Sequence, residues 1–87
     1  MAEQRVRVFG ASWCGDSIRA KRSLDECRVS YDWVDVDEDE SALDYVLQVN
    51  QGKRKTPTIL FPDGSILVEP GNRELARKLV RIGLFKS

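Results

Sequence analysis

The 87-residue sequence contains no histidine and only two cysteines. These absences exclude most zinc sites and the catalytic mechanisms that use histidine as a general base. No apolar run approaches the roughly 20 residues that a membrane-spanning helix requires, and residues 1–5 lack the apolar core of a signal peptide. Fourteen basic and fourteen acidic residues cancel, so no net charge favours nucleic acid or an anionic membrane as a partner. We therefore expect a cytoplasmic protein.

Hydrophobic residues make up 41% of the chain and charged residues 32%. This composition is typical of a folded globular chain rather than a disordered one. The length allows one modest hydrophobic core, and the sequence shows no linker, repeat or low-complexity tract. The sequence therefore predicts a single domain over residues 1–87.

Hydrophobic periodicity predicts seven elements in the order β-α-β-α-β-β-α. The predicted strands cover residues 5–9, 31–36, 56–61 and 66–68, and the first two helices cover about 14–27 and 39–50. A right-handed crossover makes the first two strands parallel, and the turn Pro62-Asp63-Gly64-Ser65 joins the last two as an antiparallel hairpin. The expected fold class is therefore α/β, with a four-stranded mixed sheet flanked by helices.

Local patterns make two further predictions about the helices. Asp37 and Glu40 stand at the spacing of a capping box, which indicates the start of the second helix. In the last helix, the apolar residues at helical spacing are expected to face the core; they are Leu75, Ala76, Leu79 and Val80.

The two cysteines are not expected to form a disulfide with each other. If both lie on the first helix, Cys14 and Cys27 are roughly 20 Å apart, whereas a disulfide requires Cα atoms within about 7 Å. Ala20, Leu24 and Cys27 share one helical face. We therefore interpret Cys27 as a small buried hydrophobic residue.

The segment Trp13-Cys14-Gly15-Asp16-Ser17 places a thiol where a strand ends and a helix begins. A helix N-terminus favours an anion through its unpaired N–H groups and its dipole. Because the thiolate is the reactive form, this position predicts a nucleophilic, catalytic role for Cys14. Ser17 lies one turn away, within reach of a hydroxyl hydrogen bond to the sulfur. We expect a modestly lowered pKa for Cys14, with the charge of Asp16 opposing the effect.

The predicted topology brings Thr56-Pro57 to the same end of the sheet as Cys14. An X-Pro bond is cis only occasionally, but a cis bond here would leave the Thr56 backbone facing Cys14 and open to an extended ligand. The preceding loop Lys53-Arg54-Lys55 is either simply solvated or a clamp for the carboxylates of a small thiol. Trp13 either packs in the core or, as its adjacency to Cys14 favours, flanks the thiol, whereas we interpret Trp33 as structural.

Together these features resemble glutaredoxin-like proteins of the thioredoxin fold over essentially the whole chain, and most closely the mycoredoxin and NrdH-like branch. The resemblance is carried by Trp13-Cys14-Gly15-Asp16-Ser17, Ala20-Lys21, Thr56-Pro57-Thr58 and Asp63-Gly64. It implies that Cys14 is the nucleophile and that Pro57 is a cis-proline beside a Thr56 backbone that binds a thiol peptide. It also implies that the helix start at Gly71-Asn72 helps to hold the ligand's carboxylate.

The implied activity is thiol–disulfide exchange on mixed disulfides between proteins and a low-molecular-weight thiol, either glutathione or a mycothiol-like compound. We expect a monomer without bound cofactor or metal. Many members have a second cysteine where Ser17 stands, so Ser17 is either natural to a monothiol form or an engineered replacement for a resolving cysteine. Thr56 replaces a hydrophobic residue of the family, and Glu69-Pro70-Gly71-Asn72 replaces paired glycines. These departures leave the identity of the small thiol open.

A single cysteine restricts the chemistry, because only an external thiol can resolve a mixed disulfide on Cys14. One alternative is iron–sulfur cluster binding by a dimer in which each chain supplies one thiolate. Monothiol glutaredoxins of that kind carry Cys-Gly-Phe-Ser, and here Asp16 replaces the phenylalanine. A second alternative is a redox-inert module that binds thiol peptides.

Overall fold

Seven short elements follow the chain in the predicted order, in a computed structural model that describes residues 5–84. The strands are β1 (Val6–Gly10), β2 (Tyr31–Asp35), β3 (Thr58–Leu60) and β4 (Ile66–Val68), and the helices are α1 (Gly15–Glu26), α2 (Glu40–Val49) and α3 (Asn72–Arg81). Residues 1–4, in which we expect no signal peptide, and 85–87 lie outside the described residues. The single domain over residues 1–87 stays a prediction. Within residues 5–84, no helix is long and apolar enough to cross a membrane.

The four strands form one mixed sheet in the order β2-β1-β3-β4. β1 pairs in parallel with β2, and β3 pairs antiparallel with both β1 and β4. In the hairpin turn, the Phe61 N–H donates to the Ser65 carbonyl at 2.9 Å, and Gly64 adopts the left-handed conformation, with φ of 89°. The predicted mixed sheet is confirmed.

Alternation along the strands divides the interior into two layers, because successive side chains of a strand point to opposite faces. Val8 belongs to the layer beneath α1 and α3, whereas Phe9 belongs to the layer beneath α2. The first layer is formed by Val6, Val8, Ala20, Leu24, Cys27, Val29, Ile59, Phe61, Leu75 and Leu79. The second layer is formed by Phe9, Val36, Ala42 and Val46. Cys27 is buried and both cysteines are free, as predicted.

One predicted core residue of α3 was assigned wrongly. Leu75 and Leu79 are completely buried, but Val80 is 63% exposed and Ala76 is half-buried. The inward stripe continues from Leu79 to Ile82, which packs against the core at the i+3 position. Val80 lies about 100° around the helix from Leu79 and therefore points away from the sheet.

The residue that caps the start of α2 also differs from the predicted one. The N-cap is Asp39, whose Oδ1 accepts the Ala42 N–H at 3.1 Å and the Ser41 hydroxyl at 2.7 Å. Asp37 lies two residues before the cap, and its carboxylate bonds to the Trp13 indole N–H instead. The segment between β2 and α2 thus starts the helix through Asp39 and supplies Asp37 to Trp13, the residue before Cys14.

Candidate active site

Cys14 is the N-cap residue of α1, with an extended backbone (φ −87°, ψ 119°). A tight turn leads to it from β1, because the Cys14 N–H donates to the Ala11 carbonyl at 3.1 Å. The Cys14 carbonyl then accepts the Ile18 N–H at 3.0 Å, which is the first turn of the helix. The half-buried thiol therefore lies at the positive end of α1, as the sequence predicts.

Ser17 is completely buried beneath Cys14. Its Oγ accepts the backbone N–H of Ala11 at 3.3 Å, which leaves the hydroxyl proton free to be donated to the Cys14 sulfur. This position depends on Gly10, because a Cβ at Gly10 would lie 2.8 Å from Ser17 Oγ and 2.7 Å from the Trp33 ring. The end of β1 thus positions Ser17 in two ways. The Ala11 N–H binds the Ser17 oxygen, and the missing side chain at Gly10 leaves room for it.

The Thr56–Pro57 peptide bond is cis, and it lies directly across from the thiol. The Cys14 thiol donates to the Thr56 carbonyl, with the sulfur and oxygen 3.5 Å apart. Thr56 and Pro57 are both buried. The structure therefore brings together the two segments that the sequence places at the same end of the sheet.

The segment around the cis-proline is anchored by a buried amide. The Asn50 side chain donates to the Val46 carbonyl at 2.9 Å and to the Thr58 hydroxyl at 3.1 Å. The Thr58 hydroxyl in turn donates to the Lys55 carbonyl at 2.7 Å. The C-terminal end of α2 is thus connected to the residues on both sides of Thr56 and Pro57.

Opposing effects set the pKa of the Cys14 thiol. Partial burial raises it, because a less polar environment disfavours the charged thiolate. The hydroxyls of Ser17 and Thr56 lower it, as do the backbone N–H groups of Ser17 and Asp16. The hydrogen bonds outweigh burial, so the pKa of Cys14 lies below that of an ordinary thiol. The Asp16 carboxylate, expected to oppose this shift, forms a salt bridge with Arg19 at 3.1 Å.

A cluster of three exposed side chains lies next to these segments. The Trp13 indole N–H donates to Asp37 Oδ2 at 2.6 Å, and the Arg54 guanidinium pairs with Asp37 Oδ1. The Arg54 guanidinium also lies over the Trp13 ring, 5.5 Å from its centre. The guanidinium, and then the indole N–H, hold the pKa of Asp37 below its ordinary value. We call Trp13, Asp37 and Arg54 the Asp37 cluster.

The remaining predicted ligand contacts are Lys55, Gly71 and Asn72. Lys55 is half-buried and forms no salt bridge within residues 5–84, in contrast to Arg54. Gly71 is the exposed N-cap of α3 and provides no side-chain cap, so the first N–H groups of α3 are left for solvent or a ligand. Among residues 5–84, no hydrogen bond joins Gly71 or Asn72 to Cys14.

The glutaredoxin family model matches residues 6–66 of the chain, which include Cys14, Ser17 and Pro57. The chain belongs to the glutaredoxin family. This is a family of thiol–disulfide oxidoreductases, and the resemblance inferred from the sequence is therefore confirmed.

Glutaredoxin-type relatives cover almost the whole chain. A Mycobacterium tuberculosis protein named as a glutaredoxin is 39% identical over 94% of this chain and 98% of its own length. Mycoredoxin 1 of Corynebacterium glutamicum is 34% identical over 85% of this chain and 91% of its own length.

Solved structures support the fold class. A crystal structure of a thioredoxin-like protein matches with a TM-score of 0.76 at 24% identity, covering 92% of this chain and 99% of the other. The glutaredoxin of Archaeoglobus fulgidus matches with a TM-score of 0.70 at 20% identity, covering 92% and 89%. The predicted thioredoxin-like fold is confirmed.

Sequence reasoning missed three residues of this glutaredoxin site. Gly10 has no local pattern that shows its proximity to Ser17. Asn50 is a polar residue at the end of an amphipathic helix, which is a weak signal for a buried anchor. The sequence places Asp37 at the start of α2 and does not reveal its bond to Trp13, because Trp13 lies 24 positions earlier in the chain.

Within residues 5–84, no group of three His, Cys, Asp or Glu side chains could hold a metal ion.

Proposed function

We propose that this glutaredoxin releases low-molecular-weight thiols from protein mixed disulfides by a monothiol mechanism centred on Cys14. The proposal rests on one observation. The Cys14 thiol has a lowered pKa at the start of α1 and faces the Thr56 carbonyl, while a buried serine occupies the position where a resolving cysteine would stand.

The reaction consists of two exchange steps. In the first, the Cys14 thiolate attacks the sulfur of the small thiol, the bond between that thiol and the protein breaks, and the protein leaves as a thiolate. In the second, a free small thiol, as its thiolate, attacks the small-thiol sulfur bound to Cys14. This step restores the Cys14 thiolate and releases the oxidised small-thiol disulfide. One disulfide is thus exchanged for another: the protein sulfur is reduced to a thiolate, and the incoming free small thiol is oxidised to the disulfide level.

Ser17 has a double role in this proposal. Its hydroxyl stabilises the attacking thiolate by donating a hydrogen bond. It cannot form a disulfide, so the small thiol stays on Cys14 until an external thiol removes it. This holds whether Ser17 is the natural residue or an engineered one.

The small thiol is proposed to bind between the Thr56 backbone and the N-terminus of α3. Lys55 and the free N–H groups at Gly71 and Asn72 would attract its carboxylates, and Trp13 would flank it. The co-substrate is glutathione or a mycothiol-like thiol, and the similarity to a protein named mycoredoxin supports including the second. We propose that the protein acts as a monomer, without a bound cofactor, in the reducing cytoplasm, where its free thiols persist.

Iron–sulfur binding receives no support from the comparisons. It would also place a charged Asp16, paired with Arg19, where the cluster-binding glutaredoxins have phenylalanine. We therefore do not retain it as a second proposal.

The decisive experiment is a single turnover with a glutathione-linked peptide in the absence of free thiol, followed by mass spectrometry. The expected product is one glutathione on Cys14 and one free peptide thiol. Cys14→Ser should form no adduct, whereas Cys27→Ala, which alters the other, buried cysteine, should behave like the parent protein. If the parent protein forms no adduct with any small-thiol mixed disulfide, it is a redox-inert binding module.

A further inference from the structure

We propose that Asp37 sets the charge selectivity of the thiol site by keeping Arg54 from the carboxylates of an incoming small thiol. This inference rests on the proposed function. It concerns the Asp37 cluster, of which the proposed function uses Trp13 alone, as a residue that flanks the small thiol.

The two ends of the cluster belong to the segments that meet at the thiol. Trp13 immediately precedes Cys14, and Arg54 lies two residues before Thr56, whose carbonyl accepts the Cys14 thiol at 3.5 Å. An anionic ligand attached to Cys14 would therefore approach Arg54.

Arg54 is already engaged on two sides. Asp37 Oδ1 binds its guanidinium, and the Trp13 ring lies beneath it at 5.5 Å. Trp13 in turn holds the other Asp37 oxygen by a 2.6 Å hydrogen bond, so both carboxylate oxygens are fixed. Asp37 thus binds the Arg54 guanidinium in the way that a ligand carboxylate would, because a guanidinium binds any carboxylate through the same N–H groups.

This arrangement distinguishes two of the three cations of the loop Lys53-Arg54-Lys55. Lys55 forms no salt bridge within the described part of the chain and is available to a carboxylate, whereas the charge of Arg54 is balanced by Asp37. The site is therefore less attractive to strongly anionic thiols than the sequence Lys53-Arg54-Lys55 suggests. Removing the Asp37 charge should release Arg54 toward the ligand.

The test compares two substrates that share one neutral peptide. In one, the peptide is linked to glutathione, whose carboxylates make it anionic; in the other, it is linked to neutral 2-mercaptoethanol. The selectivity ratio is the rate constant of Cys14 adduct formation with the first divided by that with the second. We expect Asp37→Asn to raise this ratio about threefold to fivefold at low salt, and the increase should shrink as salt is added.

Three further variants make the test specific. Asp63→Asn changes the net charge equally, but Asp63 lies in the β3–β4 turn and pairs with Lys78 of α3, so the ratio should not change. Asp37→Glu keeps a carboxylate and should keep a ratio near that of the parent protein. Combining Asp37→Asn with Arg54→Gln should return the ratio to the parent value, because the released cation is then absent.

The possible outcomes separate this inference from the proposed function. If Asp37→Asn behaves like Asp63→Asn, or raises both rates equally through the reactivity of Cys14, Asp37 does not set selectivity. If the double variant keeps the raised ratio, the effect is repulsion by Asp37 and not release of Arg54. In these cases adduct formation by the parent protein still supports the proposed function. If the parent protein forms no adduct with either peptide, both proposals fail.

Discussion

The Ser17 hydroxyl oxygen accepts the backbone N–H of Ala11 at 3.3 Å, and this bond joins the first turn of α1 to the end of β1. Ser17 is completely buried, so water cannot replace either partner. The hydroxyl proton remains available to the Cys14 sulfur, and a hydrogen bond from the Ser17 side chain lowers the pKa of Cys14. A single hydroxyl thus connects the stability of the turn with the reactivity of the thiol.

Ser17→Ala should weaken both properties. Loss of the hydroxyl removes a hydrogen bond that lowers the pKa of Cys14, so the pKa should rise and the adduct-forming rate at neutral pH should fall about threefold to tenfold. The rate should recover as the pH is raised through the new pKa, because the thiolate fraction is restored. Ultraviolet titration of the thiolate measures the pKa directly.

The same variant leaves the buried Ala11 N–H without its acceptor, which should cost about 1–3 kcal/mol of the unfolding free energy. Ser23→Ala is a suitable control, since Ser23 is also a buried serine of α1. It should leave the Cys14 titration unchanged. An unaltered Cys14 pKa in Ser17→Ala would show that the hydroxyl does not support the thiolate.

Ser17→Cys should change how the adduct is resolved. A thiol at the i+3 position of a helix lies within the Cα separation that a disulfide requires. The introduced thiol should therefore displace glutathione from Cys14 and leave an intramolecular disulfide, so the glutathione adduct should not accumulate. Mass spectrometry after a single turnover distinguishes the two products. A persistent adduct would mean that the buried position is inaccessible for attack.

The parts of the site that could be predicted from the sequence depend on local patterns. Cys14 and Ser17 were recognised because a strand end, a helix start and an i, i+3 spacing all lie within a few residues. The approach of Thr56 to Cys14 required only the order of the elements. In each case the chain direction and the periodicity determine the geometry.

The remaining parts depend on tertiary packing. Trp13 and Asp37 are 24 positions apart, and their bond joins the loop after β1 to the loop after its parallel neighbour β2. Val80 fits the apolar pattern of α3, but the stripe that faces the sheet runs from Leu75 and Leu79 to Ile82, and Val80 is 63% exposed. The sequence contains more apolar residues than one face of α3 holds, and the rotation of the helix against the sheet decides which of them are buried.

Gly10→Ala should destabilise the fold and displace Ser17 from its position next to Cys14. The new Cβ would lie 2.7 Å from the Trp33 ring and 2.8 Å from Ser17 Oγ, so one of these groups must move. We expect a loss of about 1–3 kcal/mol in unfolding free energy, measured by urea denaturation. The Cys14 pKa should rise as well, because Ser17 is displaced. Gly15→Ala is the matched control, since a Cβ at Gly15 meets nothing within 4 Å. Equal stability of the two variants would contradict the close packing.

Lys55→Gln should reduce the preference for anionic thiols. Lys55 is the basic-loop cation next to Thr56, and it forms no salt bridge within residues 5–84, so its charge is available to a ligand carboxylate. The adduct-forming rate with the glutathione-linked peptide should fall about threefold to fivefold, while the rate with the 2-mercaptoethanol-linked peptide should stay constant. The Lys55 carbonyl still accepts the Thr58 hydroxyl in this variant, so the cis-proline segment should keep its position.

The control for this loss is Arg22→Gln, which changes the net charge equally at an exposed position of α1. It should not alter either rate at moderate salt, because distant surface charges are screened. An equal decrease in both variants would indicate a general charge effect. A decrease confined to Lys55→Gln and to the anionic substrate would assign the carboxylate contact to Lys55, in contrast to Arg54, which Asp37 already holds.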